Sequence, residues 1–145
     1  MKYVIAIFTI LVCTAGHAST LFCDSGWVKN SKGATLDFIG SQSDCVHALR
    51  GHLYCNSGWI KNTSGTQLGF IGSQNDCIEA AHGFLYCDSG WIHNTSGTQF
   101  SFIGSQADCE AANLGDKYCN SGWLYDMNGK QLTFVGSQAD CIREN

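Results

Sequence analysis

Eight cysteines and four tryptophans carry the chemistry to which this sequence can be held. Cys23, Cys55, Cys87 and Cys119 recur at a step of 32 residues, and Cys45, Cys77, Cys109 and Cys141 recur at the same step. Trp27, Trp59, Trp91 and Trp123 keep that step as well. Thiols placed evenly and regularly in an exported chain read as a disulfide framework. Only two pairings treat every copy alike. Either each cysteine joins its partner within a copy (Cys23 to Cys45, Cys55 to Cys77, Cys87 to Cys109, Cys119 to Cys141), or each second cysteine joins the first of the next copy. The forward pairing leaves Cys23 and Cys141 to find each other across the whole array. A hairpin turn between Ser31 and Lys32 instead sets Cys23 opposite about Gly40, one capping turn before Cys45, so pairing within the copy is the favoured of the two.

The tryptophans admit two chemistries. An indole face stacks on the apolar face of a pyranose, while amides and carboxylates hold its hydroxyls. Trp27, Trp59, Trp91 and Trp123, with the repeated Gln42, Gln74, Gln106 and Gln138, are the material of such a site. The same indoles would equally fill the core of each small unit beside its disulfide, and on the sequence that reading is favoured. The glutamines follow a serine where capping does not require them. They predict a bond between adjacent copies or a ligand contact, the bond being favoured.

Histidines offer no repeated site, because His47, His52, His82 and His93 fall at different places in the 32-residue unit and no ligand set recurs. Neither a nucleophile with an evident base nor a Gly-x-Ser-x-Gly or phosphate-binding loop is present. The expectation is a protein that is not an enzyme and takes no cofactor. Positions that vary on a fixed frame are where partner choice sits. Lys29, Lys61, His93 and Tyr125 on one strand, with Asp37, Gly69, Ser101 and Thr133 on the next, form a candidate face for a protein partner.

The elements that must position these residues follow from the repeat. In the second copy, a short apolar run from Ser57 to Lys61 leads into Asn62, Thr63, Ser64 and Gly65, where Asn opens a turn and Gly closes it. Thr66 to Ile71 then alternates with a period of two. Strand, turn and strand predict a β-hairpin. Ser73 and Asp76 stand at capping-box spacing, as do Ser41 and Asp44, Ser105 and Asp108, and Ser137 and Asp140. A brief helix is expected from Asp76 to His82, closed by Gly83 in the left-handed position. The fold class is therefore α+β, small and disulfide-rich: four tandem ββα repeats (22–53, 54–85, 86–117, 118–145) forming a compact or solenoid-like array. Trp59, Ile60, Leu68, Phe70, Ile71 and Ala80 are the expected core of copy two.

Ahead of the repeats, Lys2, an apolar run from Tyr3 to Val12, and small residues ending at Ala18 have the order of a secretory signal cut after Ala18. The apolar run is too short to span a bilayer, so residues 1–18 are read as a leader and 19–145 as one array. Its loss removes Cys13 and leaves an even set of cysteines. The net charge is −4 before cleavage, and no cluster of Lys and Arg argues for nucleic acid. A secreted or periplasmic binding module is expected, multivalent and directed at an extracellular glycan. The alternative is a scaffold, inhibitor or surface factor that holds a protein partner.

Overall fold

The computed structural model describes residues 21–145, so the predicted leader lies outside the described residues. The first unit comprises β1 (Leu21–Asp24), β2 (Trp27–Asn30), β3 (Thr35–Phe38) and α1 (Gln42–Ala48). The second comprises β4 (Leu49–Arg50), β5 (Leu53–Asn56), β6 (Trp59–Asn62), β7 (Gln67–Phe70) and α2 (Gln74–Ala80). The third repeats it with β8 (Ala81–His82), β9 (Leu85–Asp88), β10 (Trp91–Asn94), β11 (Gln99–Phe102) and α3 (Gln106–Ala112). The last has β12 (Lys117–Asn120), β13 (Trp123–Asp126), β14 (Gln131–Phe134) and α4 (Gln138–Glu144). Each antiparallel sheet carries one helix, and the chain is an α+β array of four like units.

Each unit holds at least one strand more than the predicted hairpin, and the second and third hold two. The cysteine that precedes the Ser-Gly-Trp motif lies on β1, β5, β9 or β12, paired antiparallel with the strand that starts at the tryptophan. Ser-Gly is therefore a two-residue turn and not a strand start. Ser57 at φ 53 and Gly58 at φ 81 both lie in the left-handed region, as a type I′ turn requires of its central pair. Gly58 has a second reason to be glycine, because a Cβ there would stand 1.9 Å from the carbonyl oxygen of Gly72. The second turn forms as predicted: the Asn62 carbonyl accepts from Gly65 N at 2.9 Å, and its side chain accepts from Ser64 N and Thr66 N.

All four helices begin at a complete capping box, its return bond made by aspartate. The Ser73 hydroxyl accepts from Asp76 N, and Ser73 N donates to Asp76 Oδ2 at 2.8 Å. The helix ends earlier than expected, at Ala80, with Ala81 in extended backbone. Ala81 and His82 pair instead with Tyr86 and Leu85. Gly83 (φ 59) turns the chain between those two strands. Strand pairing wins because a helix of this length gains little by one more turn, whereas two extended residues complete the next unit's sheet.

Every disulfide closes within its copy, joining Cys23–Cys45, Cys55–Cys77, Cys87–Cys109 and Cys119–Cys141 with Cα atoms 5.9 Å apart in each. Each ties a strand to the helix that covers it. Around the bridge of the second unit, Leu53, Ile60 and Ala80 are fully buried, and Leu68 and Ile71 are packed against them. Trp59 and Phe70, expected in that core, are exposed. Their places are taken by Tyr54, Tyr86 and Tyr118, which are 0, 2 and 1% exposed. These rings are buried between units rather than within one.

Successive units stack by one scheme. Tyr54 of the second unit donates its hydroxyl to Asp37 of the first, and Lys61 reaches the same carboxylate at 2.9 Å. Tyr118 meets Ser101 at 3.3 Å, and Tyr86 lies against Gly69. The Asn30 amide donates to the Thr63 carbonyl and the Asn62 amide to that of Thr95. On another edge Gly51, Gly83 and Gly115 form a column. A Cβ on Gly51 would stand 2.9 Å from Gly83 Cα, and His52 N donates to the Gly83 carbonyl at 2.9 Å.

Candidate functional site

The repeated side chains left facing solvent are aromatic. Trp27 is 44% exposed, Trp59 and Trp123 each 36%, and Phe38, Phe70, Phe102 and Phe134 are more than half exposed. Their pairing is fixed by strand register. Trp59 stands opposite Phe70 on one side and Asn56 on the other, so all three project from one face of the sheet. Asp24, Asp88 and Asn120 hold the place of Asn56 in the other units. The rings of each Trp–Phe pair are tilted by 52 to 55° with centroids 5.0 to 5.3 Å apart. Pairs of this geometry hold each other rigid. The Phe ring also lies over the glycine of the type I′ turn, which fixes it a second time.

The sequence favoured a buried role for these indoles, and the structure corrects that. The reason is a change of face: Ile60 and Cys55 point toward the helix, so Trp59, the next residue along β6, points away from it.

The glutamines have a structural task, different from the bond between copies that the sequence favoured. In every unit the side chain spans its own copy. Gln74 accepts from Gly58 N at 3.3 Å and donates to the Cys55 carbonyl at 2.9 Å, and Gln42, Gln106 and Gln138 repeat both bonds. Gln suits the place because its amide carries a donor and an acceptor side by side on a side chain long enough to reach both groups across the mouth of the turn. It locks the turn that carries the tryptophan to the start of the helix.

The varied positions are placed mainly at junctions. Lys61 binds Asp37, His93 stacks on Tyr86 with centroids 4.9 Å apart, and Tyr125 stacks on Tyr118 at 5.0 Å. Lys29, in the first unit, pairs with Asp24 at 2.5 Å. Asp37, Gly69 and Ser101 meet the tyrosine of the following unit, whereas Thr133 is exposed. Pleat alternation within one sheet could not foresee this, since the neighbour that covers these residues is the next copy. The tyrosines were missed, although their recurrence one residue ahead of the cysteines in three copies was a readable signal.

Burial shifts these groups. Removal from water, then the Asp88 charge, pushes the Tyr86 hydroxyl up to about 12. Burial and then the bond to Asp37 raise Tyr54, and burial raises Tyr118 against the bond to Ser101. A folded-state pKa above the unfolded value near ~10 stabilises the fold below that pH and is lost as pH rises through the folded value. We therefore expect stability to fall in strong alkali as the phenols of the unfolded chain ionise first. Ultraviolet absorbance titration should show at least three late-ionising tyrosines in the folded protein, and ordinary titration by all of them would refute burial at the junctions.

A cleft of about 340 Å³ opens between the first and second units, lined by Asp44, His47, Asn56, Ser57, Gln74 and Asn75, with Ile39 and Ile78. It places amide, carboxylate and imidazole groups beside the residue that faces Trp59. Among the described residues no three His, Cys, Asp or Glu side chains gather as a metal site, and no helix is long and apolar enough to cross a membrane. Compared with known proteins, the chain matches no family model, and no curated protein or solved structure was found to be similar to it.

Proposed function

We propose that this chain is a secreted or periplasmic protein that binds extracellular glycans through several like sites and catalyses nothing. The observation that carries the reading is the tryptophan–phenylalanine pair on the outer face of each disulfide-clamped unit, in which all four phenylalanines and three of the four tryptophans are exposed and Trp91 is partly covered. Large apolar rings left in water on a rigid frame mark a surface meant to be covered. A tilted pair of rings offers an apolar face to a pyranose, and the Asn or Asp opposite each tryptophan stands ready for its hydroxyls. Four disulfides suit the oxidising compartment that an exported binding protein meets. The leader ending at Ala18 is part of this reading.

Weak single sites on one body gain strength together when the ligand is polymeric. Immobilised polysaccharide should therefore retain the protein far better than a single sugar does. Changing Trp59→Ala alone should weaken retention by about tenfold, the equivalent of ~1.4 kcal/mol. Changing all four tryptophans should abolish it while the disulfides still form. A glycan array without binding, and indole fluorescence unmoved by any sugar, would sink the reading. Retention of a protein partner by the four-tryptophan variant would favour the protein-directed alternative.

A further inference from the structure

The three junctions inside the array are built alike, and its two ends are the unmatched halves of that junction. At each internal junction an aromatic ring on the strand that bears the unit's first cysteine, Tyr54, Tyr86 or Tyr118, is at least 98% buried against the preceding unit. The residues that receive it are Asp37, Gly69 and Ser101, none of them exposed. Leu36, Leu68 and Phe100 stand beside these, each partly buried and packed toward the turn glycine of the next unit, Gly65, Gly97 or Gly129.

The first unit has Phe22 where the others have tyrosine, opposite Lys29 as Tyr54 is opposite Lys61. Phe22 is 45% exposed. Cys23 beside it is only half-buried, whereas Cys55, Cys87 and Cys119 are fully buried. The last unit shows the complement. Leu132, at the place of Leu36, Leu68 and Phe100, is 45% exposed, and Thr133, at the place of Asp37, Gly69 and Ser101, is exposed too. Stacked-repeat proteins that stay apart close their ends with polar faces. Here each end exposes a large apolar side chain, Phe22 at one and Leu132 at the other, and their chemistry matches. Tyr54 and Tyr118 find an oxygen on the preceding unit, while Phe22, which has no hydroxyl, needs none and would lie against the methyl of Thr133.

We propose that molecules of this protein associate end to end, the Phe22 face of one seating on the Leu132 and Thr133 face of the next, so that the internal junction is continued between chains. The occupant of each end is a second copy of the same chain. Such a contact joins two different surfaces, so it propagates into a filament, or closes as a ring if its rotation permits. The association is independent of sugar binding and is tested without any ligand.

The test uses protein exported and oxidised from the full-length chain, followed by sedimentation velocity over a range of concentrations. Wild type should grow in mass with concentration. Phe22→Glu spoils one end and Leu132→Glu the other. Both side chains are exposed, so each variant should keep its four disulfides and its near-ultraviolet circular dichroism. Each alone should remain a monomer. An equal mixture of the two should give a heterodimer and stop there, because one intact end of each kind remains and the blocked ends forbid growth. That doubling of mass distinguishes an end-to-end contact from a symmetric dimer, which would not be restored by mixing. Monomeric wild type at every concentration, self-association surviving in either variant, or a mixture that stays monomeric would each overturn the proposal.

Discussion

Removing the Cys55–Cys77 bridge as a pair, Cys55→Ser with Cys77→Ser, is expected to lower stability by about 3 kcal/mol, and reducing all four bridges to unfold the array. The bridge joins residues 22 apart and restricts the unfolded chain most, since it closes a loop the folded unit holds anyway. Little else in a unit compensates. A helix of seven residues does not persist in water unaided, and one unit is too small to bury a sufficient core by itself. Urea unfolding of the double variant, and of wild type with and without reductant, reads the effect directly. A midpoint that barely moves on full reduction would mean that stacking, and not the sulfur bridges, holds the units together.

Gly58→Ala is the single substitution expected to do most harm. Two penalties coincide there. The backbone φ is 81°, which an L side chain rarely adopts, and the new methyl carbon would be 1.9 Å from the Gly72 carbonyl oxygen. The first alone costs about 1 kcal/mol. The second cannot be relieved by a side-chain rotation, because the obstacle is backbone, and it brings the total to about 4 kcal/mol, in the range of severe core lesions. Gly33→Ala is the control. Its φ is 78°, nearly the same, yet nothing lies within 4 Å of the added carbon, so only the conformational cost of about 1 kcal/mol should appear. Equal destabilisation by the two substitutions would show that the close approach of the Ser-Gly turn to the start of the helix is not real. Because that turn also positions Trp59, the same comparison reports on the frame of the candidate site.

The repeat, the turn that runs to Gly from Asn, or from Asp in the fourth copy, and the serine–aspartate helix start were legible in the chain, and pairing of the sulfurs within the copy was the favoured of two readings. Each depends on residues close in sequence, and each recurs four times, so local chemistry is enough to specify it. The type I′ turn at Ser57 and Gly58 was legible in principle but hidden, because serine is an unusual occupant of left-handed backbone. A single glycine does not announce the pair. Ala81 and His82 continue an apparently helical run, and only the presence of Tyr86 and Leu85 across a tight turn draws them into a strand.

What the sequence by itself determined, then, is the clamped unit and its fourfold recurrence. Which rings face water was decided by tertiary structure alone. Trp59 and Tyr54 are both large aromatics on neighbouring strands, and nothing in their local sequence separates them. Stacking separates them: the next copy upstream covers Tyr54 and offers Asp37 to its hydroxyl, while Trp59 is left 36% exposed. Burial is a property of what stands opposite a residue, and in a stacked array that partner lies a full repeat away.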